Sequence, residues 1–194
     1  MVLSERDMYK ALAVGDLVIT PKPAPSQYSP SALDLRVGRK FWKFKDQKAG
    51  IEHTLDFDLL RATADAYRGI DQFLETIPPD GDGIVTLRKG AFMLMETLER
   101  IKLPLEGQLA ARVEGRSSLA RLGISVHMTA PTIHCGFSGT ILLEVKNYGP
   151  FNLKIHPGET PMCQIIFERV SSIPQGVLET IFIDQDGPTG KSER

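Results

Sequence analysis

Cysteine, excess charge and long apolar runs are all scarce in this chain of 194 residues. Its two cysteines, Cys135 and Cys163, cannot build a disulfide framework. They do not make a structural zinc site either, since that takes about four ligands and no CxxC or HxxxH spacing supplies more. Zinc-dependent nucleobase deaminases carry His-x-Glu followed by Pro-Cys-x-x-Cys, and neither half is present. A formal net charge of -1 favours neither nucleic-acid polymers nor anionic membranes. A small anionic ligand remains open to it through a locally basic pocket. There is no apolar leader at the start and no long uncharged run, so the expectation is a reduced, cytoplasmic protein without a membrane partner.

What is present fits one substantial core. The chain is 42% hydrophobic and 24% charged, ordinary values for a globular protein, and its length needs no second domain. We therefore expect a single domain over 1–194. Ser4 followed by Asp7 signals a helix to about Ala13, ended by Gly15. Asp16 to Thr20 reads as a strand, and Pro21 to Pro30 as an irregular connection. Leu33, Leu35 and Val37 alternate with Asp34, Arg36 and Gly38 as in a half-buried strand, continued less regularly by Phe41 and Phe44. Glu52 to Thr76 has no clean period, only a helical piece around Leu59 to Tyr67. Pro78-Pro79-Asp80-Gly81-Asp82-Gly83 is a turn.

Short strands follow: Ile84 to Leu87, Phe92 to Glu99, Gln108 to Val113, Ile124 to His127, Thr140 to Asn147, Phe151 to Ile155 and Met162 to Val170. Glycine and proline punctuate them as in an all-β barrel or sandwich, and among them only Arg116 to Leu122 looks helical. The stretch 184–194 is glycine-rich and charged, either a frayed end or a flap that orders on ligand.

The most informative stretch is Glu114-Gly115-Arg116-Ser117-Ser118-Leu119-Ala120-Arg121-Leu122-Gly123, followed by Gly136-Phe137-Ser138-Gly139 and Ile141-Leu142-Leu143-Glu144. Guanidinium forks and hydroxyl donors in one turn suit phosphate. Ser117 and Arg121, four apart, share a face on one helical turn; the plain alternative is a surface helix. Glu144 ends an apolar run, and period two puts it on the side of Leu142. It is either an exposed strand carboxylate or a desolvated one whose pKa rises toward neutrality, which suits a general base. Thr129-Ala130-Pro131 reads as an extended turn before proline. Phe137 reads as a core aromatic, and the two cysteines as core or interface filling.

These residues resemble the dCTP deaminase branch of the trimeric dUTPase superfamily. The likeness runs through Asp7, Asp34-Leu35-Arg36-Val37-Gly38, the arginine-serine block, Thr129-Ala130, Gly136 to Gly139, Leu143-Glu144 with Asn147, Pro157-Gly158, Gln185 and Gly187-Pro188-Thr189. The resemblance implies a mainly β, distorted β-barrel (dUTPase-like, β-clip) with short helices, assembled as a homotrimer with shared active sites. It implies deamination of dCTP to dUTP and ammonia, with magnesium on the triphosphate and no zinc. Glu144 matches the catalytic glutamate. Arg121 and Ser117 match groups that reach beside the catalytic water in a neighbour's site. Ala130 matches a backbone carbonyl that positions that water, with Thr129 packed beside it. Arg116 and Ser118 match phosphate ligands, and Phe137 a wall that favours deoxyribose. Phe182 and Gln185 fall where the tail closes over the nucleotide.

Two positions depart from the pattern. His134 stands where many relatives place an aspartate near the sugar 3′-hydroxyl, which dUTPases use to activate water at the α-phosphate. A neutral imidazole can bond that hydroxyl but carries no fixed charge, or it merely caps the turn before Gly136. Ile181 stands where a lysine often neutralises phosphate, a loss of roughly 1.5–3 kcal/mol of binding. On this reading dUTP accumulates, because His134 disfavours triphosphate cleavage. A dUTPase or a combined deaminase and diphosphatase is the alternative. A non-catalytic nucleotide-binding trimer is the third reading, against which the retained Glu144, Arg121 and Ser117 argue.

Overall fold

The computed structural model of the chain describes residues 1–46, 53–176, 184–185 and 187–190. Helix α1, Glu5–Val14, begins where the Ser4 hydroxyl accepts from the Asp7 amide at 3.3 Å, and ends at Gly15 in the left-handed region. Strands β1 (Val18–Thr20), β2 (Tyr28–Ser29) and β3 (Ala32–Phe44) follow. The helical piece expected around Leu59 to Tyr67 is two helices, α2 (Phe57–Ala62) and α3 (Ala64–Arg68). Thr63, extended at φ -144°, breaks them, and its side chain caps α3 by accepting from the Ala66 amide at 3.0 Å.

Next come β4 (Leu74–Thr76), β5 (Val85–Leu87), β6 (Phe92–Lys102), β7 (Leu109–Gly115), helix α4 (Ser117–Ala120), β8 (Ile124–Ser125) and β9 (Thr132–Ile133). The chain continues through β10 (Ser138–Asn147), β11 (Leu153–Ile155) and β12 (Pro161–Arg169). The strand expected over Ile124 to His127 stops at Ser125, and the one expected from Phe151 starts at Leu153. The short strands β2, β4 and β9 had no period long enough to be read.

The result is mainly β with short helices. Among the described residues ten strands form one curled sheet in the order β8-β10-β6-β3-β12-β7-β9, with β1 added on β6 and β2 and β4 on β3. β5 and β11 pair separately. Leu33, Leu35, Val37, Met95, Leu143 and Phe167 are buried in one core between these strands. No described helix is long and apolar enough to cross a membrane.

Among the described residues three register shifts interrupt the ladders, one of them between Pro161 and Cys163 where β12 meets β3, and the other two bear on the site. β3 slips against β6 between Val37 and Phe41, which explains why its hydrophobic alternation loses its period there. The strands come so close at this point that a Cβ on Gly38 would lie 2.9 Å from Glu96 Cγ. β10 slips against β6 between Thr140 and Leu142. Ile141 falls out of the ladder, and its amide donates instead to the buried Thr97 hydroxyl at 2.9 Å. That hydroxyl donates onward to the Glu99 carbonyl at 2.8 Å. The Glu99 side chain, fully buried, accepts from Arg36 Nε at 2.8 Å, the Arg36 amide at 2.8 Å and Gln27 Nε2 at 2.9 Å. A buried charge persists only when so satisfied.

Thr97→Val keeps the shape of the side chain and deletes the acceptor, orphaning the buried Ile141 amide. The expected loss is about 1–3 kcal/mol of stability in urea unfolding. A variant as stable as the parent would show that the bulge needs no such partner.

Candidate functional site

Among the described residues β9 and β10 do not pair with each other, and a cavity of about 500 Å³ lies between them. β7 and β9 contribute Val113, Thr132 and Ile133 from one side, and β10 contributes Ile141 to Glu144 from the other. The wall is largely apolar, with a few polar groups converging on it, as small-molecule sites usually are.

Glu144 takes the orientation its place in the strand demands. Along β10, Ile141, Leu143 and Val145 turn into the core, while Leu142 and Glu144 sit half-buried on the opposite face. Glu144 Oε2 accepts from the Met128 amide at 3.3 Å, which ties the carboxylate to the 127–134 loop. The same loop is pinned by the Ser125 hydroxyl on the His127 carbonyl at 2.6 Å and by the Val113 amide on the Pro131 carbonyl at 2.8 Å. Ala130 lines the cavity; its neighbour Thr129 is exposed and off the lining. His134 lines the mouth with an exposed side chain, and its carbonyl accepts from the Phe137 amide at 3.1 Å to close the turn. Phe137 is buried in the core and forms part of the cavity wall as well.

The arginine-serine block behaves differently. Arg116 turns toward the interior: Nη2 lies 3.0 Å from Asp34 Oδ2, and Nη1 donates to the Pro161 carbonyl at 3.4 Å. Burial pushes the Asp34 carboxyl above its ordinary range, and the Arg116 charge opposes that rise. Ser117, Ser118 and Arg121 are exposed and do not line the cavity of their own chain. The block ends on Gly123, at φ +82°, whose hypothetical Cβ would lie 2.6 Å from the Gly149 amide nitrogen. Only glycine fits both that angle and that approach. The structure thus brings Ala130, His134, Phe137, Glu144 and Gln185 to one cavity, and leaves Arg116, Ser117, Ser118, Thr129 and Arg121 outside it.

The described part of the tail is docked. The Asp184 amide donates to the Ser138 carbonyl at 2.7 Å, and its carboxylate accepts from Ser138 Oγ at 2.8 Å and pairs with Arg100. Gln185 Nε2 donates to the Thr140 carbonyl at 2.9 Å, and both Gln185 and Pro188 line the cavity. The buried Thr189 hydroxyl donates to Asp71 Oδ2 at 2.7 Å. Phe182 and Ile181 lie outside the described residues.

Two cavity residues escaped the sequence reading. His127, with a buried Nδ1 that lacks a hydrogen-bond partner, was read only as the end of a strand. Its sole signal was its place three residues before Ala130. Tyr67 comes from the stretch without a period. Its phenol is pushed above its ordinary range, first by burial and then by the Glu144 charge. Among the described residues no three His, Cys, Asp or Glu side chains are grouped to hold a metal ion.

A family model described as dCTP deaminase-like matches residues 2–170. The chain is 38% identical over 172 residues to a dUMP-forming dCTP deaminase of Methanosphaera stadtmanae, covering 88% of this chain and 80% of that protein. It is 41% identical over 174 residues to a dUMP-forming dCTP deaminase of Dictyoglomus thermophilum, covering 89% and 82%. Among solved structures, 2′-deoxycytidine 5′-triphosphate deaminase from Agrobacterium tumefaciens shares the fold, with a TM-score of 0.63 at 22% identity over 87% of this chain. The chain spans about half of that longer one, 48%.

The relatives overturn dUTP as the end product, since those two and several others are named for forming dUMP. The error lay in letting one side chain, His134, decide the fate of the triphosphate. That imidazole is exposed at the cavity mouth, and the fold uses only its backbone. The cofactor assignment that went with it, magnesium on the triphosphate and no zinc, falls too. It was attached to a reaction that stops at dUTP, and the described side chains single out no ion.

Thr189→Val should loosen the docked tail. Amide hydrogen exchange over 187–190 is expected to quicken by about fivefold, the worth of one hydrogen bond. Unchanged protection would show that the Asp71 contact holds nothing.

Proposed function

The chain belongs to the dCTP deaminase family, and from that premise we propose that it converts dCTP to dUMP, ammonia and pyrophosphate. The observation that carries the reading is Glu144, half-buried on the cavity wall, its carboxylate tied to the loop that also presents Ala130.

Glu144 takes a proton from a water whose oxygen bonds to C4 of the cytosine ring, and the Ala130 carbonyl holds that water in line. The C4–N4 bond then breaks as Glu144 returns the proton to the departing amine, the remaining proton of the C4 hydroxyl passes to ring N3, and ammonia leaves a C4 carbonyl. A second water attacks the α-phosphorus, the bond to the bridging oxygen breaks, and pyrophosphate departs. Overall, two waters enter per nucleotide, so atoms balance. The wall of Phe137 and the mouth at His134 border the sugar, and Gln185 reaches the base from the tail.

Ser117, Ser118 and Arg121 are exposed in the single chain and are not part of its own cavity lining. That placement supports a homotrimer of single-domain subunits in which the block serves a neighbour's cavity. There the Arg121 guanidinium, always charged, stabilises negative charge near the water without competing for its proton, and Ser117 helps orient it. Ser118, with Arg116 at its base, faces the phosphates.

Pure protein incubated with dCTP is expected to release ammonia, dUMP and pyrophosphate in equal amounts, from an assembly that sediments as a trimer. Accumulating dUTP, or a fully active monomer, would sink the reading. Metal content measured on the same preparation identifies any ion the protein carries. Glu144→Gln is expected to keep the trimer and its dCTP affinity while kcat falls about 10²–10⁴-fold. Deamination at the parental rate would remove Glu144 from the mechanism.

A further inference from the structure

The segment 53–76 supplies a wall of the cavity, and Tyr67 is the residue it places there. α3, which carries Tyr67, is short but held at both ends. Thr63 caps its start, and the Gly69 amide donates back to carbonyls of its last turn. Arg68 pairs with Asp65 at 3.0 Å along its surface. Just beyond, Asp71 receives the Thr189 hydroxyl at 2.7 Å, which ties the turn after α3 to the docked tail.

Tyr67 therefore faces the site from a fixed base. The titratable groups sharing the cavity with it are Glu144, His127 and His134. Those on its own helix and the turn that follows are Asp65, Arg68 and Asp71. Burial and the Glu144 charge both disfavour the phenolate, so the hydroxyl is present as a donor. A carboxylate offers about four lone-pair positions. The Met128 amide, at 3.3 Å, engages one of them.

We propose that Tyr67 is a positioning residue for Glu144: when nucleotide fills the cavity, its hydroxyl donates to the Glu144 carboxylate in addition to the Met128 amide. The carboxylate is then held by two donors from different elements, with lone pairs left for the proton it carries. Substrate is not touched by the phenol, which acts through the glutamate. The inference rests on Glu144 being the proton carrier of the proposed reaction.

Tyr67→Phe removes the hydroxyl alone. It is expected to lower kcat about tenfold while KM stays within about twofold. In a Glu144→Gln background the same change should have no further effect, because the two act as one unit. An unchanged kcat, a rise confined to KM, or full additivity would each overturn the proposal.

A second readout needs no turnover. The ultraviolet titration of the Tyr67 phenol, isolated as the difference between parent and Tyr67→Phe, should move to lower pH in Glu144→Gln. Removing the negative charge removes part of the opposition to phenolate. A phenol that titrates at the same pH in both backgrounds would show that the pair does not communicate. Should the parent protein release no ammonia from dCTP, the functional reading fails, while the titration still decides whether Tyr67 and Glu144 are coupled.

Discussion

The hydrogen bond from the Ile141 amide to the Thr97 hydroxyl fixes the register of β10, and the site depends on that register. Side chains alternate faces along a strand, so a slip of one residue would turn Glu144 into the core and Leu143 out to the face that Glu144 now occupies. The bulge between Thr140 and Leu142 is where such a slip would start. Thr97 stops it by giving the displaced amide a buried partner and by spending its own proton on the Glu99 carbonyl. Glu99 in turn ties β6 to Arg36 on β3 and to Gln27. One polar chain thus runs through three strands and ends at the strand that carries the carboxylate.

Where local chemistry sets structure, the sequence was readable. Ser4 and Gly15 bound α1 because a hydroxyl acceptor and a left-handed residue are needed at those ends. The side on which Glu144 stands follows from counting along an apolar run. Where distant parts set structure, it was not. β9 is two residues long and exists because Ala111 and Arg112 lie opposite it. Tyr67 belongs to the cavity through the packing of distant segments, and no pattern near residue 67 records that placement. The block from Arg116 to Arg121 was legible as a short helical turn, but not the contact of Arg116 with Asp34, which lies far off in sequence.

The electrostatics divide along the same line. Charges that hold the fold are buried or half-buried and paired, as with Glu99 and Arg36 or Asp34 and Arg116. Glu144, on the cavity wall, is held by one long amide contact, and Arg121 stands in solvent outside the cavity. Glu144 thus keeps lone pairs for a further donor, capacity that the paired framework charges have used.

The docking of Asp184 and Gln185 has a practical side. Together they cover the carbonyls of Ser138 and Thr140 on a strand that pairs with β8 only at Lys146 and Asn147. A fragment cut before residue 184 would bare that stretch as an open sheet edge, ready to recruit a strand from another molecule. Shortening the chain to obtain a tidier sample would therefore trade a tail for self-association.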